Sequence, residues 1–149
     1  MQRTGPILIV DSEPAIVDLL IELLTDAGYA ALSASDSASA FWIIINYAPA
    51  LLMLDMRIPD MDGPELIAQL HGAGVVAMPI VLMSTNLPDV GLHVPGAARC
   101  LAKPFDIDDV LGCVGEYVQP FGAGAVSLGT WHSCPSVNLN DRSEAAPLL

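Results

Sequence analysis

Four polar residues, Asp11, Asp55, Ser84 and Lys103, each follow directly on a short apolar run: Ile7 to Val10, Leu51 to Leu54, Ile80 to Met83 and Cys100 to Ala102. If those runs are strands of a parallel sheet, the four side chains gather at the end where such sheets bind ligands. Two carboxylates brought together repel each other and need a cation, and hard oxygen donors suit Mg²⁺ better than a soft metal. A hydroxyl and an ammonium opposite them suit a phosphoryl group, whose oxygens take donors and positive charge. In that setting Asp55 can act as a nucleophile and form an acyl phosphate. Asp and Ser at strand ends are also ordinary turn formers. That bland explanation serves for any one of the four and poorly for all of them in one fold.

The segments between the runs have helical period. Ile16, Leu19, Leu20, Leu23, Leu24 and Ala27 share one face, with Asp18, Glu22 and Asp26 opposite. Pro14 suits the first turn of that helix and Gly28 its end. The pattern then predicts a strand near Ala30 to Ser33, a helix from about Asp36 to Asn46 and a strand over Leu51 to Leu54. A loop over Met56 to Gly63 leads to a helix near Pro64 to His71. After the strands ending at Ser84 and Lys103, the acids Asp106, Asp108 and Asp109 favour the N-terminus of a closing helix with Val110, Leu111, Val114 and Tyr117. Continuous apolar strands imply burial on both faces, and strict alternation with helices implies an α/β fold with an open parallel sheet. In a five-stranded sheet ordered 2-1-3-4-5, with helices on both faces, the crevice opens between the strands that end in Asp11 and Asp55.

At 149 residues the chain has room for one well-buried domain, and 53% hydrophobic against 15% charged residues argues that it folds. Residues 1–118 carry the periodic pattern. Residues 119–149 shift to Gly, Ala, Ser and Pro and form a tail too short for an output domain. A net charge of -12 with five Lys and Arg argues against nucleic acid as a direct partner. The run Ala73 to Met83 is broken by Pro79 and falls short of the about 20 residues of a membrane span. Ile7 to Val10 is too short for a secretory h-region, so a cytoplasmic location is expected. Cys100, Cys113 and Cys134 lack CxxC spacing and read as reduced thiols. His71, His93 and His132 have no metal-ligand spacing and read as surface histidines. Trp42 and Ile45 stand where an amphipathic helix would place polar residues, which suggests a contact with another chain or with the tail.

The chain resembles the response-regulator receiver domain of two-component signalling. The resemblance is carried by Ile9-Val10-Asp11-Ser12-Glu13-Pro14, by Leu54-Asp55-Met56-Arg57-Ile58-Pro59-Asp60-Met61-Asp62-Gly63, by Pro79-Ile80-Val81-Leu82-Met83-Ser84 and by Lys103-Pro104-Phe105. It covers roughly Pro6 to Val118 and implies the flavodoxin-like receiver fold. It further implies Asp55 as phosphoacceptor, Asp11, Asp55 and the Arg57 carbonyl around Mg²⁺, Ser84 as the phosphoryl-sensing hydroxyl and Lys103 as the ammonium that pairs with the phosphoryl group. Pro104 stands where the family tends to have a cis bond. Arg57 and Asn86 stand where side chains can lean over the phosphoryl group.

Three positions depart from the family pattern. Ser12 replaces a second acidic residue, which predicts weak metal binding unless Glu13 reaches in. Cys100 replaces an aromatic switch residue. Asn86 to Arg99 contains Pro88, Gly91, Pro95 and Gly96, which predicts a truncated fourth helix. The resemblance therefore implies a phosphoacceptor rather than an enzyme, with at most slow self-dephosphorylation, served by a histidine kinase or phosphotransfer protein. The alternative is a receiver-like interaction module that works independently of phosphorylation. A hydrolase with an aspartyl nucleophile would need a second Asp two residues on, where Arg57 stands.

Overall fold

The computed structural model describes residues 3–85 and 94–120. Apolar runs and helical periods resolve there into β1 (Ile7–Val10), α1 (Pro14–Asp26), β2 (Ala31–Ala34), α2 (Ser37–Tyr47), β3 (Leu51–Asp55) and the short strands β4 (Arg57–Ile58) and β5 (Met61–Asp62). α3 (Gly63–Gly72), β6 (Ile80–Ser84), β7 (Arg99–Ala102) and α4 (Ile107–Tyr117) follow. Five strands form one parallel sheet in the order β2-β1-β3-β6-β7, the expected doubly wound topology.

Each strand sends alternate side chains to opposite faces. Leu8, Val10, Leu52, Leu54 and Leu82 meet Ile43 and Ile44 of α2 and Leu66, Ile67 and Leu70 of α3. Ile7, Ile9, Leu51, Met53, Val81 and Met83 meet Leu20, Ile21 and Leu24 of α1 and Val110, Cys113 and Val114 of α4. β1 and Leu51 to Leu54 of β3 are fully buried, so both faces contribute to stability, at about 1.5–3 kcal/mol for each large apolar side chain removed from water.

The segment expected as a plain loop, Met56 to Gly63, contains an antiparallel hairpin in which Arg57 pairs with Asp62 and Ile58 with Met61. Pro59-Asp60 is the turn dipeptide that makes it possible, since proline presets its φ and aspartate favours turns. Trp42 and Ile45 part company. Trp42 is half-buried against the core and lies edge-on to Tyr47 with ring centroids 6.0 Å apart, whereas Ile45 is 63% exposed. Beside Ile45 a cavity of about 290 Å³ opens, lined also by Arg3, Val75, Val76 and Met78.

Residues 94–98 form a turn, with the Ala97 N–H donating to Val94 O and the Ala98 N–H to Ile80 O. The rest of the expected truncated helix, with Asn86 and His93, lies outside the described residues, as do His132, Cys134 and the tail from 121 on. Among the described residues no helix is long and apolar enough to cross a membrane.

Candidate functional site

The C-terminal ends of β1 and β3 lie side by side, with Val10 level with Leu54, so Asp11 and Asp55 face the same crevice. Asp11 extends β1 by donating its N–H to Ala34 O, and its Oδ1 accepts the Glu13 N–H at 2.9 Å. That second bond turns the chain into α1, where Pro14 occupies the first turn. Asp55 is level with Met83 of β6, and Ser84 is level with Ala102 of β7. The Lys103 N–H donates to Ser84 O at 2.8 Å, which ties the two outer strand ends together, and the Lys103-Pro104 bond is cis, as the resemblance implies.

Lys103 closes the pocket. Its side chain is 4% exposed, with Nζ 2.6 Å from Asp11 Oδ2, 3.4 Å from Asp55 Oδ1 and 3.8 Å from Glu13 Oε1. Burial alone would push this ammonium down, but the bond to Asp11 and the two carboxylate charges outweigh it and hold its pKa above the ordinary value. Asp55 is raised, first by burial and then by the Asp11 charge, against the lowering effects of Lys103 and of the Arg57 backbone N–H that bonds its carboxylate. Buried carboxylates go up and carboxylates beside cations go down, and here the first effect wins.

Asp11, Asp55 and Lys103 are thus brought into one cluster, with the buried Ser84 at the adjoining strand end. Arg57 contributes its backbone N–H, while its exposed side chain belongs to the hairpin. Glu13, weighed from the sequence as a substitute for the acid missing at Ser12, does reach toward Lys103, although its side chain is 61% exposed. Asp11 and Asp55 bring hard carboxylate oxygens, the donor type a divalent ion takes, to one end of the sheet. No group of three His, Cys, Asp or Glu among the described residues makes a ready-formed cation cage.

Two features of the pocket went unread in the sequence. A Cβ on Gly63 would lie 3.0 Å from Asp55 O and 3.0 Å from Leu82 Cδ2, so a side chain there would crowd the hairpin where it returns beneath the acceptor strand. Asp60, at the hairpin tip, bonds Ser37 at the start of α2. The first could have been suspected from a glycine directly after a turn; the second carries no local signal.

Fold and site together define a phosphoacceptor domain built on a doubly wound sheet. The chain belongs to the response regulator receiver domain family, whose pattern matches residues 7–114. It is similar to sporulation initiation phosphotransferase F of Bacillus subtilis, with 33% identity over 114 residues, 75% of this chain and 92% of that protein. It is also similar to the DNA-binding dual master transcriptional regulator RpaA of Synechocystis, with 35% identity over 112 residues. That match covers 72% of this chain and 46% of the regulator, so the chain spans about half of the regulator's length. Among solved structures, a CheY-like receiver domain protein from Methanospirillum hungatei aligns with a TM-score of 0.68 at 27% identity, over 76% of this chain and 93% of that one.

Proposed function

We propose that this chain receives a phosphoryl group on Asp55 from a histidine kinase or phosphotransfer protein and relays its state through protein contacts. The carrying observation is the buried Lys103 ammonium held between Asp11 and Asp55 in the sheet crevice. An Asp55 carboxylate oxygen attacks phosphorus, the bond from phosphorus to the donor nitrogen breaks, and the donor leaves with the electron pair and takes up a proton. Lys103 pairs with the phosphoryl oxygens, and the Ser84 hydroxyl donates to one of them once it is in place. Asp11, Asp55 and the Arg57 carbonyl are the groups that would hold Mg²⁺, which when bound neutralises charge between carboxylates and phosphoryl oxygens. Burial and the Asp11 charge raise the Asp55 carboxyl, so its carboxylate is a more basic nucleophile than an unperturbed one. In this reading water hydrolyses the acyl phosphate at most slowly.

Residues 1–118 form the receiver unit in this reading, 119–149 a Gly/Ala/Ser/Pro-rich tail, and the location is cytoplasmic. The similarity to a phosphotransferase of sporulation, over 75% of this chain and 92% of that protein, supports a relay. A second reading, an interaction module independent of phosphorylation, is favoured by Ser12 and by Cys100, which packs against the core where the family carries an aromatic switch.

Intact mass after incubation with Mg²⁺ and acetyl phosphate separates the two. One added phosphoryl group that is lost in Asp55→Asn is the expected result. An unmodified wild type would sink the acceptor reading and leave the interaction module.

A further inference from the structure

The β4–β5 hairpin leaves the acceptor strand directly and does not end free in solvent. Asp60 at its tip reaches the first turn of α2, where Oδ1 accepts the Ser37 N–H at 3.2 Å and Oδ2 accepts the Ser37 hydroxyl. Asp36, the residue before the helix, accepts the Ser39 N–H at 2.8 Å. Two carboxylates from distant parts of the chain thus serve one helix end, where the first N–H groups lack partners and negative charge is favoured. The Ser37 hydroxyl, with help from the Ser37 N–H, holds the Asp60 carboxyl below its usual range, so the contact is made by the charged form.

The same hairpin is fastened at its base. The Gly63 N–H donates to Met56 O at 2.7 Å, the Met56 N–H donates to Met83 O at 2.8 Å, and Ile58 is buried in the α2–α3 core. At Gly63 a Cβ would come within 3.0 Å of Asp55 O, so the hairpin base packs tightly against the acceptor strand. Between base and tip lies Arg57, whose N–H bonds the Asp55 carboxylate and whose partner across the hairpin is Asp62. A displacement at the tip therefore has few places to be absorbed before it reaches Arg57.

We propose that Asp60 is a positioning residue: by bonding Ser37 it holds the hairpin so that the Arg57 N–H stays on Asp55, and it couples α2 to the acceptor pocket. This rests on the reading of Asp55 as phosphoacceptor. If Asp60 served α2 alone, its loss would loosen the first turn of α2 and leave Arg57 as it was. If it positions the hairpin, both ends respond.

The test uses the full chain, with amide exchange read at Arg57, Ser37 and Ser39 in wild type, Asp60→Ala and Asp60→Asn. Exchange at Arg57 should quicken about tenfold in Asp60→Ala together with that at Ser37. Asp60→Asn, whose amide oxygen still accepts the Ser37 N–H, should recover most of the protection. Labelling by acetyl phosphate and Mg²⁺ should slow about tenfold in Asp60→Ala and recover in Asp60→Asn, since small misplacements of reacting groups cost rate steeply. Unchanged exchange at Arg57, with or without faster exchange in α2, overturns the proposal. A wild type that takes no phosphoryl group sinks the acceptor reading instead, and the exchange arms still decide whether Asp60 positions Arg57.

Discussion

At the scale of single residues the pocket balances charge locally, and two consequences follow. Asp55 is raised by burial and by Asp11, so its ionised form is disfavoured by the fold. A carboxyl whose folded pKa exceeds its unfolded value lowers stability above the folded pKa, and that cost disappears as pH falls below the unfolded value. Asp55→Asn should therefore lose phosphoryl acceptance and yet unfold at higher urea than wild type at neutral pH. The gap should shrink as pH is lowered through the carboxyl range; a variant less stable at every pH would contradict this. Ser12 bears on the metal. A neutral hydroxyl attracts Mg²⁺ less than a carboxylate, so Ser12→Asp should tighten Mg²⁺ binding in a calorimetric titration and speed labelling. Glu13→Gln should weaken Mg²⁺ binding, because Glu13 approaches Lys103 at 3.8 Å and adds its charge at the pocket rim. Equal affinity in Ser12→Asp and wild type, with no loss in Glu13→Gln, would mean that this rim does not tune metal binding.

At the scale of elements, α2 shows how far a helix can depart from a simple amphipathic pattern. Its sequence offers no polar face between Ser39 and Asn46, and periodicity alone could not say which apolar residues the core would take. Packing against the sheet selects Ala40, Ile43 and Ile44 as fully buried, leaves Phe41 and Trp42 half-covered, and turns Ile45 to solvent. A Glu at Trp42 would place a charge against the core and strip an aromatic contact with Tyr47, so Trp42→Glu should cost about 1–3 kcal/mol in urea denaturation. Ile45→Glu should change stability by no more than about 0.5 kcal/mol. If the α2 surface mediates self-association, Ile45→Glu alone should lower the sedimentation-derived mass, since Ile45 and the 67% exposed Val76 share one cavity. An Ile45→Glu chain that unfolds would show that this side chain is core after all.

At the scale of the molecule, a net charge of -12 repels itself more in the folded than in the extended chain. Raising NaCl from about 10 mM to about 150 mM shortens the screening length from roughly 30 Å to roughly 8 Å, and should raise the thermal midpoint. A midpoint independent of salt would mean that the charges are already locally compensated, as Arg99 and Glu116 are across β7 and α4. The strands and the residues that end them were legible in the sequence alone, because strand formation here depends on short continuous apolar runs and the site residues stand next to them in the chain. Asp11, Asp55, Ser84 and Lys103 needed only the parallel topology to be brought to one sheet end. What the linear pattern could not supply were the particular side-chain contacts between distant segments. Lys103 stands closer to Asp11 than to Asp55, Glu13 reaches in beside Ser12, Asp60 bonds a serine 23 positions earlier, and Trp42 is covered while Ile45 is not. Each depends on strand register and on how helices settle against the sheet, and those are decided when both faces of the core pack at once.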